Sequence, residues 1–69
     1  MERIPVVSSD AVSIGYDENQ LVLEVEFKNS IYQYLNVPPH IFTDLMNASS
    51  IGTYLHQNVK KIYPYIKVG

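Results

Sequence analysis

Ser8, Ser9, Asp10, His40 and His56 are the side chains whose types would suit hydrolysis: a hydroxyl nucleophile, a base and an orienting carboxylate. No nucleophile-elbow glycine pattern surrounds either serine. A Ser-Ser-Asp run ahead of a strand is ordinary turn or cap chemistry. His40 and His56 stand 16 residues apart, without H-x-x-x-H spacing and without any cysteine to complete a ligand set. His40 follows Pro39 and belongs in a first helical turn facing water. These patterns imply no catalytic residue, no metal site and no cofactor.

A second group carries binding chemistry. Tyr32 and Tyr34 share one face of an alternating run, where two rings make a platform for unpaired bases. The competing reading puts both rings in the core, beneath Phe42, Leu45 and Leu55, because aromatic side chains dominate small cores by area. Ile31, Leu35 and Val37 compete for the same buried face, so alternation alone leaves both readings open. Residues 51–69 add Lys60, Lys61 and Lys67 without an acid, a local balance of +3, while residues 1–50 carry −5. Tyr54, Tyr63 and Tyr65 interleave with those lysines, the mixture that a nucleic-acid backbone and its bases would take. Lysines near a helix C-terminus also complement its dipole, and the acidic remainder repels a long polyanion.

The elements that must hold these residues come from a chain of 69 residues with net charge −2, 46% hydrophobic and 17% charged. That composition is globular and excludes collagen-like, coiled-coil and strongly disordered chains. So short a chain buries only about 60% of its unfolded surface, and no disulfide supports the core. No signal-peptide pattern opens the chain and no run nears the length of a membrane span, so the expected setting is the cytoplasm.

Leu21, Leu23, Val25 and Phe27 alternate with Glu24, Glu26 and Lys28, the mark of a half-buried strand. Val12, Ile14 and Tyr16 alternate likewise, and Asp17-Glu18-Asn19 between the two runs is hairpin-turn chemistry. Asn29-Ser30 turns the chain into a third strand, Ile31 to Val37. From Pro39 the spacing becomes helical, with Ile41, Phe42, Leu45, Met46 and Ala48. Ser49-Ser50 breaks that helix or caps the next, whose stripe is Tyr54, Leu55, Val59 and Ile62 before Pro64. Tyr65 to Val68 either adds a short edge strand or trails along the surface. Gly52 reads as a structural glycine, at a turn between helices or a close helix–sheet approach. The expectation is one α+β domain over 1–69, a three-stranded antiparallel meander followed by two helices on one face, β-β-β-α-α.

With those elements placed, several pieces of the sequence resemble the KTSC domain family. They are Ser8-Ser9, Ile14-Gly15-Tyr16-Asp17, Leu21 to Phe27, and above all Tyr32-Gln33-Tyr34-Leu35-Asn36-Val37-Pro38. The central tyrosine-any-tyrosine motif followed by Val-Pro is the family's most recognisable feature. Ala48-Ser49-Ser50-Ile51-Gly52-Thr53-Tyr54-Leu55 and Asn58-Val59-Lys60 resemble its second signature, and the likeness runs from about Ser8 to Tyr63. Departures are Ser30 where the family usually has Gly, Ile51 where a Lys is frequent, and His56 where Asn is common. The family takes its name from the C-terminal region of some lysyl-tRNA synthetases and also occurs in free-standing bacterial and phage proteins. The resemblance implies RNA binding.

The residues and the resemblance together favour a non-enzymatic binding module. Its nucleic-acid surface would draw on Tyr32, Tyr34, Lys60, Lys61, Tyr63 and Lys67. The second reading is a protein-interaction module, including a homo-oligomer joined through a sheet edge or the apolar C-terminal residues.

Overall fold

In the computed structural model, which describes residues 1–69, the chain builds one antiparallel sheet with two helices on a single face. The strands are β1 (Ile4–Pro5), β2 (Ala11–Asp17), β3 (Val22–Phe27), β4 (Ser30–Tyr34) and β5 (Tyr65–Lys67). They lie side by side in the order β1-β2-β3-β4-β5, each antiparallel to its neighbour. Helices α1 (Pro39–Met46) and α2 (Ile51–Leu55) follow β4, and α2 runs on as a π-helical turn over His56–Lys60. The sheet thus has five strands where the sequence predicted three and an optional edge. The terminal β5 is the optional edge strand; β1 is new.

Ile14, Leu23, Val25 and Tyr34 from the sheet meet Val37, Leu45, Leu55 and Val59 in the core, with Ala11 at its margin. Each fully buried Leu, Ile or Val contributes roughly 1.5–3 kcal/mol, enough to hold helices too short to persist in water. Pro39 opens α1 at a position where its missing N–H costs nothing. Ser50 caps α2, its hydroxyl accepting the Thr53 N–H at 3.3 Å. Gly52 lies inside α2, where a Cβ would meet Asp10 and Ser8 only at ordinary contact, 3.6 Å. It is therefore neither a turn nor a forced close approach.

Three departures from simple alternation set the core. The register of β2 against β3 slips between Ala11 and Ser13, so Val12 is the extra residue of a bulge and turns to solvent. Ala11 and Ile14 then both face the helices. Leu21 belongs to the β2–β3 turn and not to the strand, with φ 58°. Its carbonyl accepts the Val37 N–H at 2.9 Å. Asn36, at φ 61°, ends the alternation of β4 and swings Val37 off the outer face into the core. The Tyr16 hydroxyl completes that anchor by donating to the Val37 carbonyl at 2.5 Å, while its ring stacks on Phe42, centroids 5.2 Å apart. Ile62 leaves the helical stripe, 61% exposed, because the helix ends at Lys60. The β3–β4 turn is Lys28-Asn29 and not Asn29-Ser30; Ser30 pairs with Phe27 and needs no positive φ.

Leu21 is a branched residue in the left-handed region, a conformation that costs roughly 1 kcal/mol for any residue but Gly, Asn or Asp. Leu21→Asn should stabilise the fold by about 0.5–1 kcal/mol, read as a higher urea midpoint with an unchanged slope. An unchanged or lowered midpoint would show that the half-exposed leucyl side chain outweighs the backbone relief.

Candidate nucleic-acid interface

β4 places Tyr32 and Tyr34 on the helix side of the sheet, and β5 brings Tyr65 and Lys67 beside them. Tyr34 lies opposite Leu23 on one side and Tyr65 on the other, and Tyr32 lies between Val25 and Lys67. The rings form one cluster: Tyr32 is 5.8 Å from Phe27, 6.4 Å from Tyr34 and 5.4 Å from Tyr65, with edge or tilted contacts throughout. Such pairs each contribute about 0.5–1.5 kcal/mol beyond their burial.

Exposure grades across that cluster. Tyr34 is 2% exposed and belongs to the core, so its reading as a binding residue is corrected. The helices cover it and stop short of the outer strand. Burial, with Tyr32 and Tyr65 alongside, pushes its hydroxyl up to about 12. Phe27 and Tyr32 are half-buried, and Tyr65 is 58% exposed. Tyr63 is half-buried and packs against the core.

Two of the predicted lysines join the rings. The Lys60 ammonium sits 4.8 Å over the Phe27 ring, a cation–π contact at the end of the π turn. Lys67 is the cross-strand neighbour of Tyr32. Lys61 is exposed in the turn after Lys60. Phe27 was absent from the predicted surface, because it read only as an apolar strand position. Tyr65, which the sequence interleaves with the lysines, reaches the other rings through the docking of β5 on β4. Beside Phe27 and Lys60, an open groove of about 390 Å³ is lined also by Ser9, Asp10, Lys28 and Asn29.

Acidic groups gather on the opposite face of the sheet. Arg3 donates to Glu24 at 2.5 Å and to the Ser13 hydroxyl at 3.0 Å; Ser13 in turn donates to Glu26 at 2.7 Å. Gln33 donates to the other Glu24 oxygen at 2.8 Å. The Gln33 amide, then the Arg3 hydrogen bond and charge, hold the Glu24 carboxyl below its ordinary range against the cost of its burial. Glu24 and Glu26 are thus paired on the sheet face away from the rings, whereas Asp10 lines the groove beside Phe27 and Lys60.

The hydrolytic candidates take structural parts. Ser8 Oγ accepts the N–H groups of Asp10 and Ala11 at 3.3 and 3.4 Å, turning the chain into β2. His40 and His56 are exposed, on α1 and at the start of the π turn. No helix is long and apolar enough to cross a membrane.

Fold and surface together define a small α+β domain: an antiparallel meander roofed on one face by two helices, with an aromatic, basic strip along its C-terminal edge. The KTSC domain family matches residues 7–63, and the chain belongs to that family. A crystal structure of a KTSC domain protein from Yersinia pestis superimposes with a TM-score of 0.95 at 38% identity, covering 99% of this chain and 97% of that one. An uncharacterized protein of Stutzerimonas stutzeri is 41% identical over 61 residues, 87% of this chain and 86% of its own length. A protein of Tsukamurella paurometabola is 39% identical over 57 residues, 81% and 85% of the two chains.

Proposed function

We propose that the chain is a non-catalytic module that binds single-stranded or structured RNA weakly, through the rings of Phe27, Tyr32 and Tyr65 and the ammonium groups of Lys60, Lys61 and Lys67. The observation that carries this reading is the convergence of Lys60 and Lys67 on one ring cluster that stays partly open to solvent. A base stacked on an aromatic side chain contributes about 1–3 kcal/mol, and it does so for any base. Three lysine–phosphate contacts add a salt-dependent term, with a slope of about −2 in log K against log salt for a single strand. A cytoplasmic setting accords with such a ligand.

The test is an amide NMR titration with a short mixed-sequence single-stranded RNA at low and at physiological salt. Shifts should gather on Phe27, Tyr32, Lys60, Tyr65 and Lys67 and fade as salt rises. Lys60→Glu combined with Lys67→Glu should abolish them while the unbound spectrum stays folded. Silence at low salt with the unmodified chain would retire the nucleic-acid reading.

A further inference from the structure

The two ends of the sheet differ. β1 is two residues long and contains Pro5, which blunts that edge. β5 has no proline and no covering element, and its neighbourhood holds exposed Ile66 and Val68. The ladder to β4 fixes which of its backbone groups are free. Leu35 N–H donates to the Pro64 carbonyl, and Val68 N–H to the Ile31 carbonyl, both at 2.8 Å. Peptide groups alternate in direction along a strand, so Pro64, Ile66 and Val68 point inward to β4. The N–H and C=O of Tyr65 and of Lys67 point outward.

We infer that β5 pairs antiparallel with β5 of a second copy about a two-fold axis at Ile66, joining two five-stranded sheets into one of ten. This register satisfies all four outward groups: Tyr65 and the second copy's Lys67 exchange both hydrogen bonds, and Lys67 does the same with its Tyr65. Ile66 then faces its own counterpart as a non-hydrogen-bonded pair, where side chains approach most closely. Charge fits as well. Each ammonium lies directly across from a tyrosine ring on the helix side, while the two lysines are only diagonal neighbours, about 7–8 Å apart. On the outer face Ile66 gains its counterpart and, diagonally, the second copy's Val68, covering apolar surface left open in one chain. A slip by one residue would set lysine against isoleucine and turn the outward groups away from one another. The seam is short, well below a standard interface, so the dimer is a weak one. It makes the two aromatic, basic strips contiguous, yet it requires no nucleic acid.

The test therefore uses protein alone. Sedimentation equilibrium up to about 1 mM, the range that weak association demands, should show mass rising toward twice that of one chain. Ile66→Lys places like charges face to face and should keep the protein monomeric. Lys67→Pro removes an outward N–H, leaves the ladder to β4 intact and should do the same, with circular dichroism unchanged for both. Ile66→Cys, in a chain without other cysteines, should oxidise to a covalent dimer at least about ten-fold faster than Ile62→Cys. The geometric basis is that non-hydrogen-bonded partners lie about 4.5 Å apart at Cα, within disulfide range. A monomer at the highest concentration, dimerisation surviving both edge variants, or equal oxidation rates would each overturn the inference.

Discussion

Gly15→Ala is expected to lower stability by about 2–4 kcal/mol and to loosen β1 from the sheet. A Cβ at this position would stand 2.5 Å from the Glu2 carbonyl oxygen and 3.1 Å from Arg3 Cγ. The first is backbone and cannot step aside as a flexible side chain would. The arm must lift, and with it goes the Arg3 guanidinium that binds Glu24 and Ser13. Overpacking costs typically 1–3 kcal/mol, and a mostly buried carboxylate that loses a charged donor adds a comparable amount. For a domain of this size each kcal/mol moves the midpoint by roughly 4–8 °C, so the melt should fall by more than about 10 °C. Hydrogen exchange at Ile4 and Val6 should accelerate more than in β3.

Acid dependence supplies a second readout of the same variant. Glu24 ionises below its ordinary range in the folded chain. Its contribution is therefore complete above the unfolded value of 4.5 and disappears as pH falls through the lower, folded one. Without Arg3 in place that loss should become shallower, though not vanish, because Gln33 is the larger cause. Arg3→Ala removes the network without the clash and should cost less than Gly15→Ala. Equal melts for Gly15→Ala and the unmodified chain would mean that the Glu2 backbone is not held against the sheet.

How much of this was legible in the sequence depends on whether a signal was local. Alternation from Leu23 to Phe27, proline at the start of α1 and serine at the cap of α2 are local, and each element stands where those residues put it. β1 has no such signal: Ile4-Pro5 is too short to alternate and is a strand only because Ile14 and Ser13 lie beside it. The bulge at Val12 and the left-handed Asn36 each shift the period, which is why Val12 leaves the core and Val37 enters it. The candidate surface obeys the same division. Tyr32 and Tyr34 are equivalent by period, and only the extent of helical cover separates an open ring from a buried one. Lys60 and Lys67 meet the rings through two long-range dockings, the π turn onto Phe27 and β5 onto β4. No spacing rule brings them together.

Tyr34 turns that distinction into a measurement, because a ring in the core and a ring on a binding surface respond differently to alkali. Below pH 10 the phenol is neutral whether the chain is folded or not, so its full contribution is present. Between pH 10 and about 12 the unfolded chain ionises while the folded one resists, since burial holds the group at about 12. Each unit in that window removes up to 1.36 kcal/mol, and because the folded group is itself half ionised at its upper end, a little over 2 kcal/mol should be gone by about pH 12. A domain of this size has little more than about 5 kcal/mol to lose, and cooperative unfolding should follow. Lysines discharge over the same range, and Tyr16 and Tyr54 are also raised, so the decisive comparison is Tyr34→Phe. That variant keeps the ring packing, has no proton to lose at this site, and should unfold at distinctly higher pH. It should also leave the RNA titration unchanged, because the rings proposed to stack are Tyr32, Tyr65 and Phe27. Coincident alkaline transitions in the two proteins would refute the burial of Tyr34, and lost RNA binding in a folded Tyr34→Phe would return that ring to the surface.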